Sequence, residues 1–238
     1  MTIPASPHRG CRLDAAAMPA SLGDLRDPPA QLWYRGAAPF WTDGHAVAVV
    51  GARACSAYGR DVARMLGREL AEHGVVVVSG LARGVDAAAH RGALEVEGGR
   101  TVAVLGCGID RDYPATHGEL AHRIVEQGGS IVSEYEPGIE PQPWRFPARN
   151  RIIAALSSVV VVVEARERSG ALITADFALE LGRPVLAVPG EITSALSTGC
   201  NQLLNQGAAP CLGAWSALDV LNRLDGIEIT EEDNFSGV

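Results

Sequence analysis

The run Phe146-Pro147-Ala148-Arg149-Asn150-Arg151-Ile152-Ile153 sets an aromatic, two arginines and an asparagine at the start of a helix. An apolar strand, Val159 to Val163, follows and ends at Glu164; Ser169-Gly170-Ala171-Leu172-Ile173-Thr174-Ala175 then opens a second helix. Helix starts offer free N–H groups to anions, and guanidinium forks add charge and a planar shape suited to phosphate. A phenylalanine ring is a flat face on which a base can stack. These residue types describe a site for a phosphate-bearing ligand, in first place a nucleic acid strand. Arg149, Asn150 and Arg151 stand about 100° apart round the helix. They cannot all meet one ligand: one or two face it, and another makes a structural bridge.

Two more turns carry candidate chemistry. Gly51-Ala52-Arg53, with Ser56 shortly after, leaves an apolar strand. Glycine permits a tight turn, Arg53 projects over a crevice, and Ser56 caps the next helix. An ordinary strand-to-helix turn with a surface arginine would read the same way. In Ser79-Gly80-Leu81-Ala82-Arg83-Gly84-Val85-Asp86, small residues let a phosphate approach a helix N-terminus. Asp86, early in that helix, favours the helix dipole and reads as structural; Arg83 fits either role.

Other chemistries find less support. Gly106-Cys107-Gly108 begins like a dinucleotide fingerprint, but Arg111 stands where the third glycine belongs, and there is no Walker A sequence. No cofactor and no metal are therefore expected. There is no Gly-x-Ser-x-Gly elbow, and the six histidines show no nucleophile to activate; His90 and His117 read as capping or decorating helices. Glu164 is the one carboxylate in a plausible catalytic position, and an ion pair with Arg166 or Arg168 explains it equally well.

The elements that must position these residues follow a regular alternation. Strands are expected at 46–50, 75–78, 101–105, 130–133, 159–163 and 184–188. Helices are expected at 58–73, 86–96, 117–127, 171–181, 198–206 and 214–223, besides the Arg-rich one. Strands that are apolar throughout and alternate with helices imply a Rossmann-like, doubly wound, mostly parallel α/β sheet with helices on both faces. Ligands in such sheets bind beyond the carboxyl ends of the strands, where all the marked turns lie. Residues 1–30 read as a tail and loop, 31–223 as one core domain with a short strand within 31–41, and 224–238 as an acidic tail.

The 238 residues are 47% hydrophobic and 20% charged, enough for a sizeable core and too apolar for disorder. A net charge of −8 argues against a positive coat for non-specific DNA binding but leaves room for a local basic pocket. All 20 basic residues are arginine, so an anion site must be built from guanidinium forks and backbone N–H groups. The five cysteines are odd in number and widely spaced, which fits a reduced cytoplasmic interior. No signal peptide and no membrane span are expected.

Through these motifs, taken in order, the chain resembles the DNA-processing protein A (DprA/Smf) family. The resemblance rests on Leu25-Arg26-Asp27-Pro28-Pro29, on the three turns above with His90, and on Ser133-Glu134 and the Phe-Pro-Ala-Arg-Asn-Arg run. It continues through Glu164-Ala165, the Ser-Gly helix start, Gly182-Arg183, Val188-Pro189-Gly190, Gly199-x-Asn201-x-Leu203-Leu204 and Gly207-Ala208. It implies a single-stranded DNA-binding recombination mediator. Such a protein works as a homodimer, without a catalytic step, and loads the RecA recombinase in natural transformation and homologous recombination. Carried over by position, the DNA or phosphate site comprises Arg53, Ser56, Ser79, Gly80, Arg83, Gly84, Phe146, Arg149, Asn150, Arg151, Ser169 and Gly170. The resemblance is to a core alone: no counterpart of the N-terminal helical and C-terminal winged-helix domains of many members is expected in these residues. The alternative is a nucleotide-hydrolysing enzyme of the related phosphoribohydrolase (lysine decarboxylase-like) class. Its catalytic glutamate would fall at Phe177, which speaks against hydrolysis.

Overall fold

The computed structural model describes residues 10–37 and 45–226. Trp41 and the acidic stretch beyond residue 226 lie outside the described residues. Among the described residues nine strands form one sheet. They are β1 (Cys11–Arg12), β2 (Trp33–Gly36), β3 (Ala46–Val50), β4 (Val76–Ser79), β5 (Thr101–Leu105), β6 (Ser130–Ser133), β7 (Val159–Val162), β8 (Val185–Ala187) and β9 (Ala209–Pro210). Their spatial order is β1-β2-β6-β5-β4-β3-β7-β8-β9. From β6 to β9 every pairing is parallel, and β2 joins β6 antiparallel. The chain runs outward from β3 to β6, then returns to place β7 on the other side of β3. The switch point of this doubly wound sheet therefore lies between β3 and β7, where a crevice opens at the strand ends.

Among the described residues seven α-helices cover the sheet: α1 (Ala57–Glu72), α2 (Val85–Ala93), α3 (Gly118–Glu126), α4 (Arg145–Ala155), α5 (Gly170–Glu180), α6 (Thr198–Asn205) and α7 (Ala214–Leu224). The alternation of side chains along each strand sorts them into two layers. Val50, Val78, Val104 and Val162 pack on one face with Ile152 and Ile153 of α4 and Ala175 of α5. Val49, Val77 and Val161 pack on the other with Leu66 of α1, Ala89 of α2 and Ala217 of α7. Valine suits these strands because its branched side chain is stiff and both faces are buried.

Residues 11–30, expected as tail and loop, contribute β1 and two short 3-10 turns, and bury Leu13, Leu22 and Leu25 against the α4 side of the core. Leucines three residues apart on a 3-10 turn share one side, a period too short to show in the sequence. The expected strand within 31–41 is β2 at the sheet edge, four residues long. The two-residue edge strands β1 and β9 were not expected; such short pieces leave no period to read.

Candidate nucleic-acid interface

Loops from the carboxyl ends of β3, β4 and β7 and the start of α4 enclose a cleft of about 660 Å³. A side lobe of about 370 Å³ extends toward the end of β5 and shares Arg53, Tyr113, Phe146 and Arg149 with it. Arg53, Phe146, Arg149, Asn150, Ser169 and Gly170 line the cleft, and Gly80 and Arg83 line the lobe. Ser56, Ser79, Gly84 and Arg151 line neither.

The residues outside the cleft have other work. Ser79 is buried and its hydroxyl donates to the Val49 carbonyl at 2.7 Å. Ser56 caps α1 by accepting from the Gly59 N–H at 3.0 Å. Its own N–H and hydroxyl donate to the two carboxylate oxygens of Glu164, at 2.9 and 2.5 Å. Glu164 thus tethers the end of β7 to the N-terminus of α1, where a carboxylate suits the dipole. Neither Arg166 nor Arg168 is its partner. Gly84 turns with φ near +75°, and a side chain there would strike the Ala52 carbonyl, so the β3 and β4 turns are locked together. Arg151 forms a two-pronged pair with Glu134 at 2.8 and 2.7 Å and donates to the Asp27 carbonyl at 2.9 Å. It is the structural bridge among the three polar residues of α4, and it ties the N-terminal segment to the end of β6.

Arg149 reaches the cleft floor, but the residue is only 4% exposed. It donates to the Gly80 carbonyl at 2.8 Å and to the Val104 carbonyl, and its Nε donates to Asn150 Oδ1 at 3.2 Å. Asp86 faces it, accepting from the Gly80 N–H at 3.1 Å. Burial holds Arg149 down to about 10 while Asp86 pulls it back up. Burial raises the Asp86 carboxyl, against the pull of Arg149 and two backbone N–H groups. The pair closes the bottom of the site and fixes the β4 and β5 turns. A side chain on Gly80 would collide with the guanidinium at 2.5 Å, so only glycine fits there. Asn150 donates to the Gly170 carbonyl at 2.9 Å and joins α4 to the start of α5.

Two histidines buttress the same wall. His90 Nε2 accepts from the Leu81 N–H at 3.4 Å, and its Nδ1 lies 2.7 Å from Thr101 Oγ1, which itself donates to the Val77 carbonyl. His117 donates to the Leu81 carbonyl at 2.9 Å. Leu81 has φ near +56°, and the two imidazoles hold its peptide groups on both sides. Burial, then the neighbouring His117, push His90 down to about 3, so it is neutral at physiological pH. These histidines support the turn rather than decorate helix ends.

What the cleft offers a ligand is its rim. Arg53, Arg83, Arg166 and Arg168 are exposed and have no ion pair among the described residues. Cleft and lobe together hold five arginines against two carboxylates, Asp86 and Glu167, on a chain of net charge −8. Helix α5 starts in the cleft with Ser169 as its cap, accepting from the Ala171 N–H at 3.2 Å, and with open space beside Gly170. Phe146 is half-buried against Gly106, and is engaged by the Tyr113 ring at 5.0 Å and by the Arg53 guanidinium at 5.2 Å. Tyr113, 41% exposed, is the outer ring of this stack. Tyr113, Arg166 and Arg168 were not singled out as ligand groups: a tyrosine before a proline and arginines in a loop carry no spacing signal. Among the described residues no cluster of metal-ligating side chains occurs, and no helix is long and apolar enough to cross a membrane. Burial raises the thiols of Cys107 to about 11 and Cys200 to about 12, which keeps them protonated.

The doubly wound sheet, with its crevice at the switch point rimmed by arginines and a capped helix start, places the chain in the Rossmann-like class. The chain belongs to the DNA recombination-mediator protein A family, whose model matches residues 11–225. A DNA processing protein DprA of Mycobacterium tuberculosis is 55% identical over 163 residues, which cover 68% of this chain and 41% of that protein. The X-ray structure of DNA processing protein A from Streptococcus pneumoniae superposes with a TM-score of 0.82 at 39% identity, over 90% of this chain and 75% of that one. The corresponding Helicobacter pylori structure, described for its single-stranded DNA binding mode, gives 0.81 at 32% identity, over 90% and 96%. The chain thus spans about two fifths of the length of the Mycobacterium tuberculosis protein.

Proposed function

We propose that this chain binds single-stranded DNA in the cleft and acts as a non-catalytic recombination mediator, protecting the strand and delivering it to the RecA recombinase in the cytoplasm. The observation that carries the reading is the set of four unpaired arginines that rim the cleft and its side lobe, beside an exposed aromatic ring. Phosphates would meet the guanidinium groups and the N–H groups at Gly170, and a base would stack on Tyr113. Arg149 and Asn150 shape the floor beneath them. The candidate carboxylate Glu164 is spent on Ser56, and Phe177 packs toward the core where a hydrolase would need an acid. RecA delivery, a homodimeric assembly and a role in transformation extend the family resemblance to this chain.

The test is fluorescence anisotropy of a labelled 35-mer oligo-dT over a salt series, with Arg53→Ala/Arg168→Ala beside the parent. Each phosphate contact on a single strand contributes about 0.7 to the salt slope. Four arginines give a slope of about −3, and the double variant brings it to about −1.5. Equal slopes for both proteins would sink the reading. RecA filament assembly on the same strand, accelerated by the parent and not by the double variant, tests delivery.

A further inference from the structure

Outside the cleft, at the N-terminal end of α4, stands an aromatic ladder that the cleft reading does not use. Trp144 is 62% exposed. The Arg145 guanidinium lies 4.8 Å from the Trp144 ring centre and 4.9 Å from that of Tyr135, within cation–π range of both. Its Nη1 donates to the Glu140 carbonyl, and its buried Nε has no partner among the described residues. An arginine so deeply committed to two rings and one carbonyl is not a free surface cation: it is the backing of the indole.

The segment that presents Trp144 is also braced. Gly108 donates to the Ile139 carbonyl at 2.8 Å, Gly138 donates to Asp110 Oδ1 at 2.9 Å, and Arg111 pairs with Glu140 at 2.7 Å. Trp144 is therefore held out to solvent by a fixed frame. Its neighbours Pro143, Phe146 and Pro147 all line the cleft. The side lobe reaches Gly106, beyond β5, and Tyr135 follows β6, the next strand in the sheet. One strand spacing is about 4.8 Å, so the ladder continues the row of turn residues along the carboxyl edge of the sheet.

We propose that Trp144 is a second base-stacking platform, on which a single strand leaving the cleft past Tyr113 and Phe146 lays a further base, with Arg145 fixing the ring from behind. The proposal rests on the single-stranded DNA reading of the cleft. It makes the binding unit longer than the cleft alone, and sequence-tolerant, because every base has a face to stack.

The test uses Trp144→Ala and Trp144→Phe, a 12-mer oligo-dT, and a 12-mer of the same backbone without bases. Trp144→Ala should weaken oligo-dT binding at least about fivefold, the low end of one lost stack. The strand without bases should bind parent and Trp144→Ala alike. Trp144→Phe should bind within about threefold of the parent. Tryptophan emission of the parent should be quenched by oligo-dT, and both variants should lose most of that quenching. Should Trp144→Ala fold poorly, the quenching of Trp144→Phe still decides. Oligo-dT binding by Trp144→Ala within twofold of the parent, quenching kept in Trp144→Phe, or an equal loss on both strands would overturn the proposal. If Arg53→Ala/Arg168→Ala also binds like the parent, the cleft reading itself fails, and this proposal with it.

Discussion

Replacing Arg149 by methionine should damage folding more than it removes a ligand contact. Arg149 is 4% exposed, donates to the Gly80 and Val104 carbonyls, and faces the buried Asp86 carboxylate. Methionine fills much of the same volume but leaves those two carbonyls without their donor and takes away the positive charge that favours the Asp86 carboxylate. Two buried acceptors orphaned at about 1–3 kcal/mol each, beside a buried carboxylate stripped of its neighbouring positive charge, cost about 3–5 kcal/mol. Burial has already raised the Asp86 carboxyl, so protonation relieves part of the strain and the lower figure, about 3 kcal/mol, applies. At this chain length that lowers Tm by about 6–12 °C. Urea denaturation should show a lower midpoint with an unchanged slope. The penalty should shrink as pH falls toward 5. Without Arg149 the folded-state pKa of Asp86 rises further above its unfolded value, so the folded state gains a proton before the unfolded one, and stability recovers on acidification. Asp86→Asn should restore part of the loss in the double variant, as expected for coupled neighbours. An Arg149→Met protein as stable as the parent, but unable to bind DNA, would refute this assignment and return Arg149 to the ligand.

Other variants separate support from contact. His90 has a folded pKa near 3, below its ordinary value of 6.5, so its contribution is complete above 6.5 and is lost as pH falls from there toward 3. His90→Gln should therefore show an acid-side stability slope shallower than the parent's by about 1.4 kcal/mol per pH unit, measured by urea titration between pH 6 and 4; parallel slopes would contradict a neutral buried His90. Glu164→Ala should cost about 1–3 kcal/mol, because it orphans the N–H and hydroxyl of Ser56. It should leave oligo-dT affinity within about twofold; a large loss of affinity at unchanged stability would make Glu164 part of the binding site.

Most elements of the fold were legible because period and punctuation agree. The runs at 46–50 and 159–162 are apolar at every position, and those at 101–105 and 130–133 interrupt their apolar residues only with Thr101, Ser130 and Ser133, so their place in a buried parallel sheet follows from composition. The crevice followed from the same logic, since every marked turn sits at a strand's carboxyl end. The fate of individual polar groups was not legible. A guanidinium that donates to backbone carbonyls inside the molecule looks, in sequence, like one that waits on the surface, and Arg149 and Arg168 differ only in what surrounds them. Ser56 and Glu164 are 108 residues apart, and no local pattern announces that pairing. Tyr113 enters the cleft through a loop, where no period constrains direction. Asp86 is the reverse case: its position in the first turn of α2 identified it as structural, and it is buried against Gly80, Ala82 and Arg149.

The most direct measurement is photo-crosslinking of an oligo-dT that carries 5-iodouracil at single positions, with the modified peptides identified by mass spectrometry after cleavage at arginine. The account predicts adducts in the peptides that contain Tyr113 and Phe146, with competition by unlabelled single strand. Adducts confined to other faces, such as the exposed Trp215 of α7, with Tyr113 and Phe146 unmodified, would contradict a single strand in the cleft.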